Sequence, residues 1–145
     1  MSKVWEAEFP LLGNWVCTSK RTREYNCFAW AAGDDTSRWD PMPGNYWPHR
    51  LPRNCNVDTI IRLYELKGYE RCQDGSLDPY FEKIVLYVTG HGVQHAARQL
   101  PSGLWTSKLG DEEDITHESP ASLSCEDYGQ PVCYMRKAIQ MGDAK

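Results

Sequence analysis

The sequence has no long hydrophobic run, because its apolar stretches, such as residues 84–88, are short and flanked by charged residues. A membrane-spanning helix needs about 20 apolar residues, so none is predicted. Residues 1–10 also lack a basic start followed by an apolar segment. We therefore expect no secretory signal, no membrane association and a cytoplasmic location, with export as an effector left open.

Positive charge is also scarce. The chain has 16 Lys and Arg against 20 Asp and Glu, which gives a formal net charge of -4 at pH 7. Binding to a phosphate backbone relies on positive charge. The one basic cluster, Lys20, Arg21 and Arg23, is typical of a solvated surface. Nucleic acid is therefore not expected as a partner.

None of the six cysteines forms a C-x-x-C pair. The chain is long enough to build its own core, so we expect reduced thiols and not a disulfide framework. A zinc site from His117, Cys125 and Cys133 is the least favoured alternative, because its spacing matches no standard zinc motif. His91 and His95 are four residues apart, but the glycines around His91 argue against a metal-binding helix. We expect neither a metal nor an organic cofactor.

The sequence does contain enough apolar material for one packed core. Hydrophobic residues make up 41% of the chain, including 6 Trp, 8 Tyr and 3 Phe. A length of 145 residues suits one ordinary domain, and no internal repeat is present. We predict a single domain over residues 1–145, with its core at about residues 9–136.

Helices are predicted in the first half of the chain. Residues 25–32 (YNCFAWAA) form an apolar run that ends at Gly33, and Asn26 is placed to cap the helix. Residues 57–66 repeat apolar side chains at helical spacing and are followed by Gly68. The pattern predicts two helices.

Residues 34–56, between these helices, contain four prolines, which predicts a long ordered loop. Its aromatic residues Trp39, Tyr46 and Trp47 are predicted to shape a substrate cleft, with covering of the core as the alternative.

The second half is strand-like. Residues 82–89, 95–100 and 104–109 predict an antiparallel meander with a turn at 101–103, and residues 129–136 predict a last strand. The polar residues between are expected to form a connection and a short helix. Helices followed by strands indicate an α+β fold, with N-terminal helices packed on a small antiparallel sheet.

Cys27 falls in the first turn of the predicted helix, where the helix dipole favours a thiolate. A nucleophilic thiolate needs a base, and His95 at the start of a strand is the best candidate. A third residue would orient the imidazole. Ser107 comes back beside His95 in the predicted hairpin, and Asp114 follows in the next loop, so both stay open for this role.

Three blocks, YNCFAWA, HAARQLPSGLWTSKLG and EDITHE, resemble a family of small uncharacterised bacterial domains over about residues 9–136. The layout is also similar to the papain-like NlpC/P60 cysteine peptidases, in which a cysteine opens a helix and a histidine opens a strand. The resemblance implies a papain-like thiol hydrolase in which Asn26 and the Cys27 amide face the oxyanion. A bacterial origin and a role as an effector, toxin or defence component also follow from this resemblance.

The leading hypothesis is a cysteine-dependent hydrolase of amide bonds, either a peptidase, an amidase or a deamidase, that acts on a protein or peptide-like substrate. Cys27 would be the nucleophile, His95 the base, and Ser107 or Asp114 the orienting residue. The alternative is a non-catalytic binding or immunity-type module in which Cys27 is a buried structural thiol.

Overall fold

A computed structural model describes residues 5–139, and its main feature is one seven-stranded sheet. The strands, in chain order, are β1 (Trp15–Cys17), β2 (Glu70–Cys72), β3 (Phe81–Thr89), β4 (Gly92–Gln99), β5 (Trp105–Lys108), β6 (Asp114–His117) and β7 (Gln130–Ala138). Their order across the sheet is β1-β6-β5-β4-β3-β7-β2, and all neighbouring strands pair antiparallel.

Helices are few and short in the described residues. They are α1 (Trp5–Glu8), α2 (Cys27–Ala31), α3 (Val57–Glu65) and a 3₁₀ turn (Pro120–Leu123). The amphipathic α3 buries its apolar stripe, as its sequence pattern predicts. None of the helices within residues 5–139 is long and apolar enough to cross a membrane.

The predicted α+β papain-like fold is wrong, because the chain is β-rich and its helices only cover a large antiparallel sheet. Three strands were missed. The strands β1 and β2 are only three residues long and form the two sheet edges, and β6 has the polar sequence DITH. Such short or polar segments carry no hydrophobic alternation, so only pairing with a neighbouring strand makes them strands.

The two faces of the sheet each have their own core cluster. Side chains alternate between faces along a strand, and β3 shows this directly: Ile84 and Leu86 belong to one cluster, Val85 and Tyr87 to the other. We call the side with Ile84 and Leu86 the first face. The side with Val85 and Tyr87 is the second face.

Different parts of the chain cover these two faces. The first face packs against α2, α3 and the proline-rich loop at residues 34–56. The second face packs against residues from the α1 region and from the segment that follows β6, namely Trp5, Phe9, Leu12, Leu123 and Tyr128. The sheet is therefore a single layer between two dissimilar covers.

The strands β4 and β5 separate along part of their length. Only two residue pairs join them, Arg98 with Thr106 and Gln99 with Trp105. The helix α2 contacts both strands, and its first residue, Cys27, packs against the first-face cluster. The predicted nucleophile thus lies over the first face, where β4 and β5 diverge.

Candidate functional site

Cys27 is the first residue of α2, as predicted, but its thiol is not activated. Burial raises the pKa of Cys27 to about 11, and the nearby Cys55 thiol raises it as well. Hydrogen bonds with the backbone of Ala96 and Phe28 lower the pKa of Cys27, but by less than burial raises it. Loss of solvation outweighs the favourable position at the helix N-terminus, so the group stays a neutral thiol near pH 7.

Asn26 caps α2, and its side chain makes local hydrogen bonds. Its side-chain oxygen accepts from the Ala29 amide at 3.2 Å and from the Trp39 amide at 3.0 Å. Its side-chain nitrogen donates to the Trp39 carbonyl at 2.8 Å. Asn26 therefore fixes the start of α2 and ties the proline-rich loop to it.

His95 is buried against aromatic rings on the second face. Its ring stacks on Tyr128 with 4.1 Å between centroids and 7° between planes, and it meets Tyr87 edge-on at 5.2 Å. Neither ring nitrogen has a hydrogen-bond partner among residues 5–139. Burial holds the pKa of His95 well below its ordinary value, and nearby His117 lowers it further. The imidazole is therefore neutral.

The sheet separates Cys27 from His95. The neighbours of His95, Tyr87 and Tyr128, belong to the second-face cluster, whereas Cys27 packs against the first-face cluster. A thiolate and its base must approach within hydrogen-bond distance. The arrangement does not bring this pair together.

Ser107 lies on the same face as His95, but its partner is another histidine. The Ser107 hydroxyl is 2.8 Å from Nε2 of His117, and Nδ1 of His117 is 2.9 Å from the Ser119 carbonyl. Because a carbonyl only accepts, Nδ1 carries the ring proton and Nε2 accepts from Ser107. Burial lowers the pKa of His117 to about 4. The Ser107–His117 pair was not predicted, since it depends on the unpredicted β6.

Asp114 lies on the first face, away from His95. Its Oδ2 accepts from the Tyr25 hydroxyl at 2.8 Å, and its amide donates to the Ser19 hydroxyl at 2.8 Å. Burial raises the pKa of Asp114, although the Tyr25 hydrogen bond and Lys108 oppose the shift. The four predicted catalytic residues thus divide into Cys27 and Asp114 on one face and His95 and Ser107 on the other.

Lys108 is a buried cation that sequence reasoning missed. Its ammonium group donates to the carbonyls of Thr22 and Gly110 at 2.8 and 2.9 Å, and to the Glu112 carbonyl. It also lies 5.3 Å from the centre of the Tyr25 ring. The sequence predicts Lys108 on the solvent-facing side of a strand, and nothing in its local sequence indicates a buried cation.

The aromatic residues of the loop at 34–56 cover the first face. Trp39 and Trp47 are buried members of its core cluster. Their indole nitrogens donate to Asp34 and to the Pro52 carbonyl, both at 3.0 Å. Tyr46 is more exposed, and Lys67 donates to its hydroxyl. These contacts pack the loop onto the first face.

The residues of the alternative zinc site are also apart. Cys133 belongs to the first-face cluster, whereas Cys125 packs against the second. Within residues 5–139, no group of three or more His, Cys, Asp or Glu is placed to hold a metal ion.

Two pockets lie at the sheet ends. One, of about 190 Å³, lies beside Tyr128 and is bordered by α1 and the turn between β5 and β6. The other, of about 330 Å³, lies at the turn between β4 and β5. The second has the size and the apolar lining of a ligand or side-chain pocket.

Comparison with known proteins shows the family to which the chain belongs. No curated protein and no solved structure matches it. A family model described as "Domain of unknown function (DUF7689)" matches residues 16–136, which include most of β1 and most of β7. The match covers well over half of the 145 residues, and the chain therefore belongs to the DUF7689 family.

Proposed function

We propose that the chain is a non-catalytic binding module for a protein partner, with Cys27 as a structural thiol. The observation that carries this proposal is the position of Cys27 and His95 on opposite faces of one sheet. A cysteine nucleophile needs an adjacent base, and neither ring nitrogen of His95 has a hydrogen-bond partner among residues 5–139.

The ionisation of the two groups supports the same conclusion. With a pKa of about 11, Cys27 holds far less thiolate at neutral pH than an ordinary solvated thiol. His95 is neutral and buried, but neither of its ring nitrogens contacts a thiol. The pair has neither the geometry nor the charge of an activated thiolate and imidazolium.

Exposed apolar side chains support a protein partner. Leu77, Tyr80 and Leu104 are all exposed in the loops at one end of the sheet, and Leu77 lies beside the turn that leads to Leu104. Grouped apolar exposure of this kind is typical of interaction surfaces. A binding role therefore accounts for these exposed apolar side chains, which a structural role of Cys27 does not explain.

The test is labelling with iodoacetamide across a pH series, resolved for each cysteine by mass spectrometry. Cys17 is exposed and Cys133 is buried, so they serve as internal references for accessible and protected thiols. We expect Cys27 to label far more slowly than Cys17 in the folded protein, and at an unchanged rate in His95→Gln.

The proposal fails if Cys27 labels fastest of the six thiols, with an apparent pKa below ~8.5, and slows in His95→Gln. That outcome would favour the cysteine-dependent amide hydrolase over the binding module. Circular dichroism of the variant checks that both proteins are folded when they are compared.

A further inference from the structure

The pocket of about 330 Å³ is formed by three separate parts of the chain. The loop before β3 contributes Leu77 and Asp78, the end of β4 and its turn contribute Leu100 and Pro101, and Ile139 follows the end of β7. The Ile139 amide donates to the Tyr80 carbonyl at 2.9 Å, and this bond holds the end of β7 beside the loop. The pocket is thus built on paired strands.

The apolar side chains around this pocket face solvent. Leu77 is 54% exposed and Ile139 is 36% exposed, and both line the pocket. Leu104, in the adjoining turn, is 41% exposed. Burial of such side chains in a complex would be favourable because it removes apolar surface from water.

The pocket also carries unbalanced negative charge. Asp78 and Glu82 line it, and no Lys, Arg or His is among its described lining residues. Neither carboxylate has an ion-pair partner within 4.0 Å among residues 5–139. One oxygen of Asp78 accepts from the Tyr80 amide. Both carboxylates are therefore available to a cation.

The nearest basic side chains are engaged elsewhere. Lys137 faces Glu82 across the β3–β7 pairing, but its ammonium lies 5.6 Å from the centre of the Tyr69 ring. Arg136 stacks over Phe81 at 4.0 Å and forms a 2.8 Å ion pair with Glu70. Within the part of the chain that the structure describes, neither of these basic side chains forms an ion pair with Asp78 or Glu82.

We propose that this pocket binds an apolar side chain of a partner protein, with a Lys or Arg beside that side chain pairing with Asp78 or Glu82. This inference rests on the proposed binding function and specifies the chemistry of the partner. The apolar walls supply affinity through burial, and the two carboxylates select a basic neighbour.

The test is an NMR titration of the ¹⁵N-labelled full chain with three blocked peptides. The probe is acetyl-GSGLKGSG-amide, and its two matched controls replace Leu by Ser or Lys by Glu. We expect saturable shifts at the amides of residues 77–82, 99–104 and 139 with the probe. Each control should bind about tenfold more weakly or not at all, since one replaces the apolar anchor and the other repels the carboxylates.

Variants of the chain test whether the probe peptide binds at this pocket. Leu77→Ser and the double variant Asp78→Asn, Glu82→Gln should each weaken probe binding about tenfold. Asn at position 78 still accepts from the Tyr80 amide, so the loop is preserved. Leu11→Ser changes another exposed leucine away from the pocket and should leave binding unchanged.

The inference is overturned if the pocket amides show no saturable shift, or if the Lys-to-Glu peptide binds there equally well. Saturable shifts confined to the pocket beside Tyr128 would also overturn it, while the binding function would stand. Fast labelling of Cys27 would instead overturn the proposed function and leave the pocket result unaffected. The two failures are therefore distinguishable.

Discussion

Buried basic groups lie in different environments on the two faces of the sheet. On the first face, Lys108 is fully buried and donates to three backbone carbonyls. On the second face, His95 is just as buried but is enclosed by Tyr87 and Tyr128, with no acceptor at either ring nitrogen. A buried cation needs acceptors, whereas a neutral ring can pack among aromatic groups.

On both faces, buried polar groups take part in contacts that hold the fold together. The polar groups of the first face, such as Asn26 and Lys108, are used to hold loops onto the sheet. The histidines of the second face are held neutral by burial. Engagement of this kind is ordinary for buried polar residues.

The largest loss of stability is expected when the buried Lys108 cation on the first face is removed. Lys108→Met leaves the carbonyls of Thr22, Gly110 and Glu112 without their donor. We expect a loss of about 3–5 kcal/mol in the free energy of unfolding, measured by urea denaturation. Lys20→Met, at an exposed position, is the matched control and should change it by less than about 0.5 kcal/mol. Equal effects would show that Lys108 is not a structural cation.

Acid should act mainly on the second face. Unfolded His117 takes up its proton near pH 6.5, but the folded residue does so only near pH 4. Between these values the unfolded chain binds more protons, so the free energy of unfolding falls as the pH is lowered. We expect His117 to account for a loss of about 3 kcal/mol over this range, and His95 to add to it.

This pH dependence is measured by urea denaturation at intervals from pH 7 to pH 4. His117→Gln should flatten the dependence, whereas His49→Gln, at an exposed position, should not change it. Asp114, with its raised pKa, acts in the opposite direction at the acid end. Identical slopes in His117→Gln and the parent chain would contradict the assignment.

A smaller effect is expected at the cap of α2. Asn26→Ala removes the acceptor for the Ala29 amide and the bonds to Trp39, so the free energy of unfolding should fall by about 1–2 kcal/mol. Asn56 precedes α3 in the same position but makes no side-chain cap bond. Asn56→Ala is therefore the matched control, and thermal denaturation of both variants should separate them. Similar losses would mean that the Asn26 bonds contribute little.

The smallest effect is expected at the exposed rim of the first face. Tyr46→Phe removes only the hydroxyl that accepts from Lys67 and keeps the ring that packs at 5.8 Å from Trp39. The free energy of unfolding should change by less than about 0.5 kcal/mol. A loss above about 1 kcal/mol would show that the loop depends on this bond.

Local patterns in the sequence predicted the elements that have a clear period or cap. The helix after Asn26, the helix from Val57 and the strands β3, β4 and β5 all occur where those patterns placed them. The sheet as a whole was underestimated, because β1, β2 and β6 become strands through pairing. A three-residue edge strand has too few residues to show a period.

The arrangement of the candidate site was even harder to predict from the sequence than the sheet. The sequence placed Cys27 at a helix start, as observed, whereas His95 was predicted to open a strand and lies inside β4. The face on which each side chain lies depends on strand register, and a shift of one residue exchanges the two faces. The β3–β4 pairing contains such an irregularity between Tyr87 and Val88. No short-range pattern in the sequence encodes it.

By itself, then, the sequence determined the local elements, the excess of acidic groups and the cap at Asn26, because these depend on neighbouring residues and composition. Tertiary structure alone decided that Cys27 and His95 lie on opposite faces, that Lys108 finds three carbonyls, and that Leu77 meets Ile139 at one pocket. These relations join residues distant in the chain, and only packing and strand pairing bring such residues together.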